Sequence, residues 1–321
     1  MVPLPRPDRA DCADRPVAVV VGGANIDVKA ASTGPLVPGT SNPGATVIAP
    51  GGVGRNIAEN LARLGTPVHL VAAVGADALG DQLLAATAAA GVRVDHVHRG
   101  PHPTGTYTAV LDAGGDLVVA VADMAATDAL SAADVSAARD LISAAALLVL
   151  DGNLALATVG CALELGAAAG VRVVLDPVSV PKAGRLAGQL RPGRPVYLVT
   201  PNAAELAALT GRAVDTDDRQ RDAVRALHDG GVERVWVRFG ERGSLLSGPE
   251  GVHTFPATAA DVLDVTGAGD AMLAAFCHAV LGGAPPADAA AYGHAAAALT
   301  VASRHTVRPD LTDRLVESLL T

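Results

Sequence analysis

Half of the 321 residues are hydrophobic, 18% are charged and 2% are aromatic. The 24 basic and 33 acidic residues leave a net charge of -9 and a pI near 5.4, without the basic face that a nucleic-acid polymer requires. Seven aromatics (one Trp, three Tyr, three Phe) are too few for single-strand stacking platforms, whereas the apolar content, with alanine roughly one residue in five, supports a large core and argues against disorder.

In chain order, residues 1–15 are rich in Pro, Asp and Arg, hold no apolar stretch of signal-peptide type, and read as a disordered tail. Residues 17–21 (Val-Ala-Val-Val-Val) form a buried parallel-type strand stopped by Gly22-Gly23. From 27 to 49 the pattern breaks into short pieces rich in Gly, Pro, Ser and Thr, and no helix fits. Val53, Ile57, Leu61 and Leu64 then share one helical stripe that Gly65 ends. A strand at 68–74 and a helix at 79–90 follow. Residues 106–111 and 117–121 flank Asp112-Ala113-Gly114-Gly115-Asp116, the signature of a hairpin. With 27–49 it is expected to build a small β lid from about 27–49 and 104–123.

Beyond residue 130, apolar strands at 146–150, 172–175, 196–199 and 233–237 alternate with Ala- and Leu-rich helices. Two short strands near 243–255 precede helices at roughly 268–281 and 285–301. Strand–helix alternation predicts an α/β fold: a mostly parallel central sheet covered on both faces, with the lid inserted near the N-terminus. No apolar run reaches a membrane span, and no 20–50-residue period marks a solenoid. Cys12, Cys161 and Cys277 are scattered and the nine histidines lack zinc spacing, so the chain is expected to be a soluble cytoplasmic protein without a disulfide framework.

Four segments carry candidate chemistry. Asp264-Val265-Thr266-Gly267-Ala268-Gly269-Asp270 opens a helix, so its amides and the helix dipole suit a phosphate or a developing phosphoryl charge, and Asp270 in the first turn is placed to take a proton from a hydroxyl. Gly51-Gly52-Val53-Gly54-Arg55-Asn56 also opens a helix but lacks the Gly-Lys-Ser/Thr of a P-loop. Gly22-Gly23-Ala24-Asn25-Ile26-Asp27 lacks the spacing of a dinucleotide fingerprint; Asp27 is either a sugar-binding carboxylate or a solvated turn residue. Asn202 and Glu205, three apart after a strand, suit hydrated Mg2+ or, equally on spacing, an ordinary capping box.

Together these motifs resemble the PfkB, or ribokinase-like, family of carbohydrate and nucleoside kinases. Residues 264–270 are similar to its Asp-Thr-x-Gly-Ala-Gly-Asp signature, with Val265 for Thr. Residues 51–56 are similar to its Gly-Gly-x-x-x-Asn signature, and Val74-Gly75-x-Asp77-x-x-Gly80 and Asn202-x-x-Glu205 also match. Residues 23–27, 41–44, 51–62 and 175–179, with Asp123-Met124, most resemble the pseudouridine-kinase subgroup. The resemblance covers essentially the chain after residue 16 and implies a three-layer ribokinase-like sandwich over 16–321. It further implies ATP-dependent phosphorylation of the pseudouridine 5′-hydroxyl with Mg2+, scope for a monovalent cation such as K+, no nucleic-acid or membrane partner, and a homodimer formed through the lid.

Carried over by motif, Asp270 is the base, and Gly267, Ala268 and Gly269 form the anion hole. Asn25, Asp27, Gly51, Gly52 and Asn56 hold the ribose, with Ser41, Asn42, Thr106 and Asp123 as further base or sugar contacts. Asn202, Glu205, Arg238, Gly240, Gly243 and Thr266 serve ATP, Glu205 holding Mg2+ through water. Two further positions depart from the family pattern. Arg238 stands where Thr or Ser usually precedes the Gly-x-x-Gly turn, either meeting the phosphates or pointing away, and Ala122 stands where an Asn would supply a base contact. The alternatives are a kinase of the same fold for ribose, adenosine or a sugar acid, and a non-catalytic nucleoside-binding protein. Trp236 and Phe239 fall on the expected ATP side, which leaves Tyr107 as the one aromatic of the lid and places base discrimination on polar groups.

Overall fold

The computed structural model describes residues 15–320; the expected tail, apart from Arg15, and Cys12 lie outside the described residues. In chain order the strands are β1 (Ala18–Val21), β2 (Asn25–Ser32), β3 (Gly44–Gly51), β4 (Val68–Gly75), β5 (Arg93–Gly100), β6 (Thr106–Leu111), β7 (Leu117–Asp123), β8 (Leu147–Asp151), β9 (Arg172–Asp176), β10 (Val196–Val199), β11 (Val232–Arg238), β12 (Ser244–Gly248) and β13 (Gly251–Phe255). The helices are α1 (Val53–Arg63), α2 (Ala78–Ala89), α3 (Ala125–Asp128), α4 (Ala132–Ala137), α5 (Arg139–Ser143), α6 (Leu156–Ala169), α7 (Val180–Leu186), α8 (Ala203–Thr210), α9 (Asp217–Asp229), α10 (Ala268–Leu281), α11 (Pro286–Val301) and α12 (Asp313–Glu317).

Nine strands form one sheet in the order β13-β12-β11-β10-β9-β8-β1-β4-β5, parallel from β11 to β5 with β12 and β13 antiparallel at the edge. Its inner strands are apolar on both faces because both are covered. Val20 of β1 packs with Ile57, Leu61 and Phe276 on the α1, α10 and α11 side, whereas Val19 and Val21 pack with Ile142, Val159 and Leu163 on the α4–α9 side. This is the ribokinase-like α/β fold. A second sheet, β3-β2-β6-β7, pairs β2 with β6 in parallel and its outer strands antiparallel.

Chain order reverses at β1, which lies between β4 and β8. In an open parallel sheet the crevice at such a switch, beyond the strands' C-terminal ends, is where ligands bind. Here β1 runs through Gly22-Gly23 directly into the second sheet. Among the described residues no helix is long and apolar enough to cross a membrane.

Candidate active site

The ends of β1, β8, β9 and β11 and the starts of α1 and α10 meet at one place. Gly267 turns the chain into α10 with φ 80, and a Cβ there would lie 2.0 Å from the Thr306 carbonyl oxygen, so only glycine fits. Ahead of it, Asp264 Oδ1 accepts hydrogen bonds from the Thr266 amide (2.8 Å) and hydroxyl (2.6 Å), and Oδ2 lies 3.0 Å from Lys29 Nζ of β2. Burial pushes the Asp264 carboxyl up, but these Thr266 and Lys29 contacts outweigh it and hold the group below its ordinary value. Of the turn's amides, Ala268 donates back to the Val265 carbonyl at 3.3 Å; those of Gly267, Gly269 and Asp270 have no partner among the described residues. The free donors at the helix start are therefore those of Gly267, Gly269 and Asp270, a shift from the expected trio that follows from the tight turn closing on itself.

Two cavities flank this turn. One, of about 380 Å³, is bounded by Asn25, Asp27, Asn56, Tyr107, Asn153 and Asp270 together with Gly52, Thr266 and Gly267. The other, of about 730 Å³, is bounded by Arg238, Gly240, Gly243, Ala268, Gly269 and His294 among others. A single turn thus separates a small polar chamber from a larger one, with Asp270 facing the small one.

Asp270 Oδ2 accepts a 2.8 Å hydrogen bond from Asn56 Nδ2 on α1, which fixes the carboxyl's orientation. Burial, aided by the nearby Asp176 and Asp151 carboxylates and opposed by Asn56 and Arg238, pushes Asp270 up to about 7. A carboxyl poised there exchanges a proton readily near neutral pH, as a general base must. On the same side Asn25 Nδ2 donates to Asp27 Oδ1 at 2.7 Å, and Asp27 is raised by burial against the pull of Asn25, Arg55 and Lys29. Gly51 lies beneath it, since a Cβ there would sit 2.4 Å from that carboxyl group. Asp27 is accordingly a half-buried β2 residue and not a solvated turn residue.

On the other side, Gly240 (φ 62) and Gly243 (φ 89) shape the turn after β11, and a Gly243 Cβ would lie 1.9 Å from the Phe255 carbonyl oxygen. Asn202 and Glu205 form a capping box at the start of α8: the Glu205 amide donates to Asn202 Oδ1 (2.9 Å) and the Asn202 amide to Glu205 Oε2 (2.8 Å). Burial raises the Glu205 carboxyl, and the backbone bond from Asn202 and the Arg238 charge oppose it. Arg238 points into the site, with Nη2 3.2 Å from Asp176 Oδ2 and 3.7 Å from Glu205 Oε2. No group of three or more His, Cys, Asp or Glu arranged for a metal occurs among the described residues. Asp176 and Glu205 offer hard oxygen donors, which suits a Mg2+ ion completed by water and phosphate oxygens and not an all-protein cage.

Several expected residues lie elsewhere. Ser41 is exposed in the β2–β3 connection, and Asn42 spends its side chain there, accepting from the Val37 amide and donating to the Val37 and Thr40 carbonyls. Thr106 and Asp123 pair with each other across β6 and β7, and the exposed Asp123 carboxyl accepts from the Ala125 amide at 3.2 Å. None of the four lines either cavity, and Thr266, expected on the ATP side, borders the smaller one. Trp236 is core: it is fully buried against Phe276, and its Nε1 donates to Ser244 Oγ at 2.8 Å. Phe239 packs partly buried under the Arg242 guanidinium.

Two residues went unrecognised in the sequence. Asp151, wholly buried at the end of β8, accepts 2.8 Å bonds at Oδ2 from the Gly23 and Gly54 amides and so ties the β1 turn to the start of α1. Asp176, at the end of β9, accepts from Thr200 Oγ1 and the Val178 amide beside Arg238. The sequence signals were an aspartate ending each apolar strand and, for Asp176, its place in the 175–179 stretch that carries the family resemblance, which named no role for it.

The chain is similar to known kinases in sequence and fold. The model of the pfkB family of carbohydrate kinases matches residues 16–313. Pseudouridine kinase of Escherichia coli strain K12 is 33% identical over 309 residues, 96% of this chain and 97% of that protein. A carbohydrate kinase from Agrobacterium tumefaciens superposes with a TM-score of 0.82 at 32% identity, covering 95% of this chain and 97% of that one. Ribokinase from Arabidopsis thaliana, complexed with ribose and ATP, superposes with a TM-score of 0.81 at 26% identity, covering 95% and 98%.

Proposed function

This chain belongs to the pfkB family of carbohydrate kinases, and from that membership we propose that it transfers the γ-phosphoryl group of ATP to the 5′-hydroxyl of pseudouridine. The observation that carries the reading is the 267–270 turn between two cavities, with Asp270 held by Asn56 on the side of the smaller one. The sugar hydroxyl sits against Asp270, which takes its proton as the oxygen attacks the γ-phosphorus. The free amides of the turn and the α10 dipole face the charge that develops on the phosphoryl oxygens. Asn25, Asp27 and Gly52 hold the ribose, and Asn153 and Tyr107 border the base. ATP occupies the larger cavity over Gly240 and Gly243. Glu205, beside Asp176, would hold Mg2+ through water, and the ion would supply positive charge to the phosphates.

The 33% identity to pseudouridine kinase supports pseudouridine, and so does the scarcity of aromatics: recognition by amides and carboxylates suits a uracil-type base that has donors and acceptors on its edge. The test is ADP release with pseudouridine, uridine, adenosine, ribose and deoxyribose, with the product's phosphorylated carbon assigned by NMR. Pseudouridine is expected to give the highest kcat/KM and a 5′-phosphate; preferential turnover of ribose would return the chain to a sugar kinase, and no acceptor-stimulated ADP release would make it a binding protein.

A further inference from the structure

At the rear of the 267–270 turn, one guanidinium faces two carboxylates. The Arg238 amide donates to the Pro201 carbonyl at 2.9 Å, which pins the end of β11 beside the turn after β10. Its side chain reaches forward until a Cβ on Gly269 would lie only 2.6 Å from Nη1. It therefore touches the turn whose next residue is Asp270. Its two ion contacts, 3.2 Å to Asp176 and 3.7 Å to Glu205, are longer than a well-made guanidinium–carboxylate pair. Those carboxylates have other donors, Thr200 and Val178 for Asp176 and Asn202 for Glu205. Among the described residues the guanidinium donates no hydrogen bond to the protein, although it carries five N–H groups in a rigid fork and borders the larger cavity.

A planar cation with unspent donors, lying on the anion-binding turn between the proposed nucleotide and the proposed base, is placed for a transferring phosphoryl group. We infer that Arg238 is a catalytic residue of this reaction: its guanidinium neutralises Asp176 and Glu205 before nucleotide binds, then turns its free N–H groups onto the transferring phosphoryl and leaves the two carboxylates to the divalent cation. This rests on the kinase reading above but not on which acceptor is used. In the step it serves, the acceptor oxygen forms a bond to the γ-phosphorus, the bond from that phosphorus to the bridging oxygen breaks with its electron pair going to ADP, and the hydroxyl proton goes to Asp270. The charge carried by the three equatorial oxygens meets the fork from one side and the turn's amides from the other. An arginine that stabilises the same charge in GTPases is worth about 10³–10⁵-fold in kcat.

The groups facing Asp270 are Asn56 from α1, Asp151 from β8, Asp176 from β9 and Arg238 from β11. Arg238 is the one cation among them, so removing it raises the pH at which Asp270 loses its proton.

The test compares the full-length protein with Arg238→Met and Arg238→Lys. Arg238→Met is expected to lose about 10³-fold in kcat while ADP affinity by calorimetry changes less than tenfold. Its acidic limb of kcat moves to higher pH, and Mn2+ binds it more tightly than wild type without nucleotide, because the carboxylates have lost their internal partner. Arg238→Lys keeps the charge, restores the pH limb, and recovers only part of kcat because the fork is gone. The inference is overturned if a folded Arg238→Met keeps wild-type kcat, if kcat and ADP affinity fall together with the pH limb unmoved, or if Mn2+ binding does not change. Should wild type itself phosphorylate no acceptor, the kinase reading fails separately, and the nucleotide-free Mn2+ titration still judges the counter-ion role.

Discussion

At the scale of single residues, Asp270 combines two demands that oppose each other. A base must be charged to act, yet its surroundings penalise the charge and push it up to about 7. Turnover should therefore rise as pH climbs through about 7 and level off above, measurable as the acidic limb of kcat. Asp270→Asn should lose about 10²–10⁴-fold in kcat, as removal of a positioned base does. Its stability should move the other way. Because the folded carboxyl titrates above its ordinary value of 3.8, the stability it contributes is fully present below 3.8 and lost as pH rises through about 7. Asp270→Asn should consequently melt above wild type beyond about pH 7 and equal it in acid; a lower melting temperature at both ends would contradict burial as the cause.

Asp270 was legible because its motif is local: glycines, a helix start, and a carboxylate in the first turn of that helix. Asp151 was not, because what makes it special is the pair of amides it accepts from, 128 and 97 residues away. Val178 was equally silent. Its left-handed backbone (φ 68) is rare for a β-branched residue and lies at the cavity edge, where Asp176 holds its amide. Ser41, Asn42 and Asp123 have the right chemistry but line neither cavity, and turns and strand ends have taken up the Asn42 and Asp123 groups.

At the scale of elements, α1 shows how a helix is positioned by what its first turn lacks. Gly54 lies against β1's turn: a Cβ would fall 2.7 Å from Gly22 Cα and 3.1 Å from Asp151 Oδ2. Gly54→Ala should push the helix start off the Asp151 carboxylate, cost about 1–3 kcal/mol as overpacking does, and lower kcat through displacement of Asn56. Thermal melting together with kinetics would check this; an unchanged melting temperature would mean that the turn yields freely. The apolar stripe of α1 and the runs of β8 to β11 were readable because each is buried continuously. Strand β5 was not. Its apolar residues, Val94 and Val97, are three apart across an irregularity in its pairing with β4, so the alternation of an edge strand is broken. Strand β2 carried a signal that went unread, since Ile26, Val28 and Ala30 alternate with Asn25, Asp27 and Lys29, but the surrounding Gly, Pro and Ser masked it.

Between elements, Lys29 of β2 and Asp264 form the one ion pair among the described residues that joins the second sheet to the main body. Both are about one-third exposed, so the pair adds little stability, on the order of 0–1 kcal/mol. Its value is positional, because the same carboxylate organises Thr266 ahead of Gly267. Lys29→Met is expected to leave the melting temperature nearly unchanged while raising ADP release without acceptor relative to that with acceptor, as the lid no longer sets the turn. Equal coupling in variant and wild type would reduce the pair to a surface contact.

At the scale of the whole molecule, the second sheet leaves apolar surface that the described residues do not cover. Val47 and Ile48 of β3 and Leu117, Val118, Val119 and Val121 of β7 are each more than half exposed. These are the two outer strands of that sheet. Neither β3 nor residues 117–122 carry a charged side chain, so the edges lack the lysines and inward charges with which sheets ordinarily prevent edge-to-edge pairing. An uncharged apolar margin beside a site is economical if a second copy covers it, since the same contact that buries the valines also fixes the lid over the smaller cavity. This surface favours the homodimer that the family resemblance implies, with the second sheet as its interface. Light scattering across the micromolar range should give twice the chain mass for wild type. Val121→Lys, at the most exposed of these positions, should shift the protein to monomer with its melting temperature little changed, because a lysine there meets water in the single chain and an apolar face in the pair. Acceptor KM should rise in the monomer as the lid loses its support. A wild type that stays monomeric throughout would refute the dimer, and a dimer untouched by Val121→Lys would place its interface away from β7.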